Sequence, residues 1–211
     1  MAAHEREQLI EGARRMGLEL TEAQTAALLQ LLDELERWNT AYNLTAIRQR
    51  PGMLTHHLFD SLSVHSDLQG VRIADLGTGA GFPGLPLALT NPDREFTLID
   101  ANNKKARFVT HAARELGLAN VTVSHARVES LHAPNAFDTV IARAFAPLPR
   151  LLRAAEALCG PGTRVLAMKG KRPAAEIAAV RAPWSVASER RLYVPGLAGA
   201  RHLVVLEARR L

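Results

Sequence analysis

The chain has 211 residues, 47% hydrophobic and 22% charged, with a formal net charge of +5. That length fits one domain with a small extension, and the composition excludes wholesale disorder. A single cysteine, Cys159, excludes a disulfide framework within one chain, and no apolar run reaches the roughly 18 residues of a membrane span. Lysine occurs only at 104, 105, 169 and 171, so arginine supplies most of the positive charge. Such a surplus suits a polyanionic partner, because guanidinium groups bind phosphate in a bidentate manner and stack on bases. The N-terminus, Met1 to Glu7, is polar and has no signal-peptide core, so a cytoplasmic protein is expected.

Residues 1–66 read as helical. Thr21 and Gln24 form a capping box. Behind them Leu28, Leu31, Leu32, Leu35, Trp38 and Tyr42 recur at three- and four-residue steps, which is one apolar helix face. Trp38 and Tyr42 end that face and are the members expected nearest to solvent. Pro51 suits the first turn of a further helix through Ser66.

From Val71 the pattern becomes strand and helix in alternation. Strands are expected near 71–75, 95–99, 121–124, 137–142 and 163–168, and helices near 84–90, 103–117, 147–158 and 173–180. Short βα units require a parallel sheet with right-handed crossovers. Ser185 to Val194 and His202 to Arg209 are strand-like around Pro195-Gly196-Leu197-Ala198-Gly199, which predicts an antiparallel C-terminal hairpin. The expected fold is α/β, Rossmann-like, with a mostly parallel seven-stranded sheet. A helical extension over 1–66 would pack on a domain over 67–211. Cys159 is expected mid-helix, as a small buried apolar residue.

The stretch Asp75-Leu76-Gly77-Thr78-Gly79-Ala80-Gly81-Phe82-Pro83-Gly84 lies between a strand and a helix. Gly79 to Gly84 fits the dinucleotide pattern GxGxxG. Read from Asp75, the same residues give an acidic strand end followed by GxGxG, the pattern of S-adenosylmethionine (SAM) methyltransferases. A pyrophosphate wants bare N–H groups at a helix start. SAM has no phosphate and carries a sulfonium, so acidic neighbours suit it better. Asp100 ends the next strand at the spacing of a ribose ligand, with a helix N-cap as the structural alternative. The terminal hairpin and the lack of a second catalytic domain favour SAM over a nicotinamide cofactor. The adjacent His56 and His57 diverge on a helix and have no further ligand placed beside Asp60, so no metal is expected.

The motifs Trp38-Asn39-x-x-Tyr42-Asn43-Leu44-Thr45, His57-Leu58-Phe59-Asp60-Ser61-Leu62, Asp75 to Gly84, Lys104-Lys105, Arg127-x-Glu129, Arg143-Ala144 and Lys169-Gly170 occur in this order. The set resembles the bacterial 16S rRNA guanine-N7 methyltransferase family RsmG, or GidB, over nearly the whole chain. The resemblance implies a class I SAM-dependent enzyme acting on guanine N7 in the decoding region of small-subunit rRNA. It implies SAM contacts at Gly77, Phe82, Asp100, Ala101, Asn102, Val128, Glu129 and Arg143, alongside Asp75 and Gly79 of the glycine pattern. The family usually has Lys-Arg at the Lys104-Lys105 position and an aliphatic residue at Phe59.

Guanine N7 offers a lone pair and no proton, so no general base is needed. The chain has Ala142-Arg143-Ala144-Phe145 where an amino-methylating enzyme carries Asn/Asp-Pro-Pro-Tyr. Cys159 is away from the strand ends, where a pyrimidine-C5 enzyme needs its nucleophile. Arg143, Asn39 and Asp60 are the candidates for the reacting end, with Asn43 beside them. Phe82 and Phe145 are candidate walls. Arg48, Arg50, Arg150, Arg153, Lys169, Lys171 and Arg172 form the expected RNA face. The resemblance implies 16S rRNA as the partner, in the small subunit or an assembly intermediate, and a monomer is expected. A SAM methyltransferase acting on a small molecule or protein, or an RNA-binding module with a vestigial pocket, are the alternatives.

Overall fold

The computed structural model describes residues 2–133 and 136–208. Its strands are β1 (Arg72–Leu76), β2 (Glu95–Asp100), β3 (Val121–His125), β4 (Thr139–Arg143), β5 (Arg164–Lys169), β6 (Trp184–Arg191) and β7 (His202–Ala208). They form one sheet in the order β3-β2-β1-β4-β5-β7-β6. The first five strands pair in parallel, and β7 runs antiparallel to both β5 and β6. The α/β sheet with its antiparallel C-terminal hairpin is the one the sequence predicts. The sixth strand is shorter than expected, because the chain leaves the ladder at Arg191.

Successive β1 side chains divide between the two faces. Ile73 joins Phe96, Leu98 and Ile141 on one side, and Ala74 and Leu76 join Val140, Val165 and Ala167 on the other. The first face is covered by α1 (Ala2–Arg15), α2 (Glu22–Tyr42), α5 (Gly84–Thr90) and α6 (Asn103–Glu115). The capping box at Thr21 forms, with Gln24 donating its backbone N–H at 3.1 Å and accepting from the Thr21 N–H at 2.9 Å. Leu28, Leu31, Leu32 and Leu35 of α2 are fully buried in this layer. Each such burial stabilises by roughly 1.5–3 kcal/mol. The second face carries α7 (Leu148–Ala155), while the short α8 (Ala174–Ala178) adds Ile177 at its margin. No helix among the described residues is long and apolar enough to cross a membrane.

The segment after Pro51 departs from the regular helix expected. It starts as α3 (Arg50–Met53), widens into π-helical turns over Leu54–Phe59, and closes as α4 (Asp60–Leu62). A wider turn carries more residues past one point, and His57, Leu58, Phe59, Asp60 and Ser61 are all buried. Turns of this kind recur at functional sites. Cys159 follows the final 3₁₀ turn, Glu156–Leu158, in extended backbone rather than lying mid-helix. Burial pushes its thiol up to about 12.

The strand order reverses between β1 and β4. In an open parallel sheet, the crevice for a ligand lies outside the carboxyl ends of the strands at such a point. Asp75 and Arg143 sit at those two strand ends.

Candidate active site at the carboxyl edge of the sheet

The turn after β1 is held by two carboxylates. Asp75 is buried, and its Oδ2 accepts from Thr78 Oγ1 at 2.6 Å and from the Gly84 N–H at 2.9 Å. Its Oδ1 has no partner, and burial pushes the carboxyl up to about 6. Asp75 thus lies beneath the turn and lines neither of the cavities described below. Asp100 ties the turn to β2: its Oδ2 accepts from the Gly79 N–H at 2.8 Å and its Oδ1 from the Asn102 N–H at 2.7 Å. Asn102 is the N-cap of α6, accepting from the N–H groups of Lys104 and Lys105.

Gly77 and Gly79 have φ of +65° and +63°, which other residues rarely adopt. A Cβ at Gly77 would also lie 2.6 Å from Cδ2 of Phe145. Phe145 therefore walls the turn on the β4 side. Two cavities meet at Gly77. The smaller, about 140 Å³, is lined by Asp100, Ala101, Val128, Glu129, Phe145 and Arg150 among others. The larger, about 480 Å³, is lined by Gly79, Phe82, His57, Asp60, Arg143 and Arg201 among others.

The floor of the larger cavity is one connected network. Arg143 Nη1 donates to the His56 carbonyl at 2.8 Å and to Asp60 Oδ2 at 3.0 Å. Arg201 Nε donates to the other oxygen, Asp60 Oδ1, at 2.8 Å. A buried carboxylate between two guanidinium groups satisfies its charge and fixes both of them. Arg143 also lies over the Phe82 ring, 5.9 Å from its centroid, and Phe82 stacks on His57 at 4.7 Å. His57 Nε2 is 3.1 Å from Thr45 Oγ1, and the Thr45 N–H donates to Asn39 Oδ1 at 2.9 Å. Burial, helped by the charge of Arg143, pushes His57 down to about 3, so the ring is neutral at physiological pH. Asn39 thus lies behind the cavity wall, tied to it through Thr45. Asn43 ends α2 in left-handed backbone, φ +51°, and accepts from Arg48 Nη2 at 2.7 Å.

The family model described as rRNA small subunit methyltransferase G (GidB) matches residues 24–204, a span that contains every residue of this network. The chain is 46% identical over 202 residues to the ribosomal RNA small subunit methyltransferase G of Nitrosococcus oceani, covering 96% of this chain and 94% of that one. The chain belongs to the rRNA small subunit methyltransferase G family. Solved structures show how widely the fold is shared. A SAM-dependent methyltransferase of Aquifex aeolicus superposes with a TM-score of 0.57 at 20% identity, over 75% of this chain and 94% of that one. The [4+2]-cyclase SpnF superposes with 0.60 at 16% identity, over 89% and 96%. A cyclase on the same architecture shows that fold alone does not select the reaction.

Within this GidB-family chain, the expected RNA face divides. Arg50 is enclosed in the helical layer, donating to Glu5 at 2.6 Å and to the Leu29 carbonyl at 3.1 Å, with Asp33 at 2.7 Å. Lys169 donates to the Ala146 carbonyl at 2.7 Å and to Glu176 at 2.8 Å. Arg172 pairs with Glu189 at 3.1 Å. Arg50 and Lys169 are thus committed to enclosed partners, whereas the Arg172 side chain stays 65% exposed in its surface pair. Arg150, Arg153 and Lys171 are exposed and make no ion pair among the described residues.

Three side chains of this network, Thr45, His57 and Arg201, escape the sequence reading. Thr45 sits inside the Trp38-to-Thr45 motif, whose polar spacing was the available signal. His57 reads as a diverging histidine until the π-helical turns bring it inward. Arg201 follows a Gly/Pro loop with no local pattern and reaches Asp60 across 141 positions.

Proposed function

We propose that this protein transfers a methyl group from SAM to N7 of a guanine in the 16S rRNA of the small ribosomal subunit. The observation that carries the reading is family membership over residues 24–204, with the turn, Asp60, Arg143 and Arg201 all inside the matched span. Residues 1–66 then form an extension on a methyltransferase domain over 67–211. On this reading the protein works in the cytoplasm as a monomer, on the small subunit or an intermediate of its assembly.

The site suits SAM better than a dinucleotide. A pyrophosphate would seek the N–H groups of the glycine turn, yet Asp100 already accepts from Gly79, and its negative charge would repel a phosphate. Asp100, Ala101, Val128 and Glu129 would hold the nucleoside in the smaller cavity, with Asn102 fixing the turn beside them. Gly77, Gly79 and Phe82 would hold the amino-acid part in the larger one. SAM supplies an electrophilic methyl group on sulfur.

The remaining work falls to alignment. Guanine N7 attacks with its own lone pair, so no group here has to accept a proton. The neutral His57 and the fully paired Asp60 agree with that. Arg143, fixed by Asp60 and by the His56 carbonyl, would present its remaining N–H groups to O6 of the base and leave N7 free to attack. Holding two reactants in a productive pose can lower a barrier by roughly 7–11 kcal/mol.

The test incubates the protein with methyl-labelled SAM and small subunits from cells lacking it, then digests the RNA to nucleosides. Label in 7-methylguanosine is the expected result. Label in an amino-methylated or C5-methylated base, or in ribosomal protein alone, would overturn the proposal.

A further inference from the structure

A groove outside the cofactor cleft has the chemistry of a nucleic-acid surface. It lies between the end of α2, the outer face of α6 and the edge strand β3, with a volume of about 430 Å³. Its lining includes Trp38, Arg107, His111, Arg114, Val123 and His125, and contains no acidic side chain.

The groove is built rather than incidental. Arg107, His111 and Arg114 recur at four- and three-residue steps, so they share one face of α6. Glu34, itself buried, fixes His111, its Oε2 lying 2.9 Å from Nε2. His111 packs on Trp38 with ring centroids 4.9 Å apart, and the Tyr42 ring lies 5.2 Å from Trp38. The first turn of α6 carries Lys104 and Lys105, where the helix dipole favours acidic residues. Arg114, in the last turn, complements the dipole, whereas Lys104 and Lys105 in the first turn do not. Arg107 makes no ion pair among the described residues, and Arg114 meets only its neighbour Glu115, at 3.0 Å. Arg50 and Lys169, by contrast, are enclosed with acidic partners.

The groove also opens in the right place. Its lining residue Asn103 directly follows the cap Asn102, and His125 Nε2 lies 3.2 Å from the Ala101 carbonyl. A strand lying in the groove would pass beside the turn assigned above to the cofactor nucleoside.

We propose that this groove is a second RNA-binding surface, which holds a single-stranded stretch of the substrate RNA with phosphates on Arg107 and Arg114 and a base against Trp38 and His111. The proposal rests on the preceding reading that the substrate is RNA. Irregular single strands are where proteins reach RNA bases, and aromatic stacking with cationic rims is how they are held.

The test uses the full-length protein and a fluorescein-labelled single-stranded RNA, with binding read by anisotropy across a salt series. The double variant R107E/R114E is expected to weaken binding at least tenfold and to flatten the plot of log K against log salt by about 1.4, the contribution of two phosphate contacts on a single strand. Trp38→Leu is expected to weaken binding about tenfold with the salt slope kept. Arg107→Ala, confined to an exposed side chain, gives the same direction should the Trp38 variant not fold. SAM affinity by calorimetry should stay at the wild-type value throughout. Wild-type affinity and slope in R107E/R114E, with wild-type protein still methylating RNA, would overturn the groove alone. Loss confined to assembled subunits, with naked RNA bound normally, would assign the groove to a ribosomal protein and overturn it as well. Wild-type protein that neither binds nor methylates RNA would overturn this proposal together with the one it rests on.

Discussion

The turn after β1 and the cationic surface around it are assembled over different distances in the chain. Asp75 reaches partners three and nine positions away, and Asp100 reaches partners two and 21 positions away. Among the arginines, Arg50 meets Glu5 across 45 positions and Arg201 meets Asp60 across 141. Local and adjacent-strand contacts write a pattern into the sequence, whereas long-range ion pairing does not. A sequence therefore tells where a cofactor turn lies more readily than which arginines are free to meet RNA.

The largest expected effect comes from the point where the two kinds of contact join. Arg143→Ala should lower methyl transfer about a hundredfold or more, because the variant loses a fixed donor at the reacting end. Single-turnover rates with saturating SAM would measure it, and an undiminished rate would remove Arg143 from the site. Next in size, Gly77→Ala should weaken SAM binding about tenfold, since the new methyl group would meet Phe145 in backbone that disfavours a side chain. Calorimetric titration decides this, and unchanged affinity would mean that the turn does not contact the cofactor.

Arg50→Ala tests the surface half of the comparison. It should cost about 1–3 kcal/mol of stability by leaving Glu5 without its donor, and should leave the salt dependence of RNA binding as in the wild type. A flattened salt dependence with unchanged stability would restore Arg50 to the RNA face.

The smallest effect near neutral pH concerns two of the buried titratable groups, His57 and Asp75, which act with opposite sign. His57 binds its proton near 3 when folded and 6.5 otherwise, so its contribution is complete above 6.5 and is lost as pH falls toward 3. Asp75 is raised from 3.8 to about 6, so its contribution is complete below 3.8 and is lost as pH rises through 6. Urea midpoints between pH 4 and 7 should therefore change little in the wild type. In His57→Gln they should fall as pH rises, because only the Asp75 term remains. A flat profile in the variant would show that Asp75 titrates normally.

Much of the fold is legible in the residues themselves. The apolar stripe of α2, the capping box at Thr21 and the five βα strands follow from periodicity and caps, because each is a local choice reinforced by burial. The glycine turn is legible because positive φ at Gly77 and Gly79 leaves glycine as the natural residue. The π-helical widening over Leu54–Phe59 leaves no such mark, so His57 and Asp60 are placed inward only by packing against Phe82 and Arg143. The Asp60 carboxylate clamp and the enclosure of Arg50 depend on which segments meet in space. Residue types alone could suggest a carboxylate or a cation at those positions but not its partner.

The central claim is methyl transfer to guanine N7 by the network around Arg143. Its most direct test is nucleoside mass mapping of 16S rRNA from cells lacking this protein, complemented with either the wild-type chain or Arg143→Ala. The account predicts one 7-methylguanosine that is absent without the protein, restored by the wild type and not restored by the variant. A 7-methylguanosine level that is the same in all three strains would contradict it.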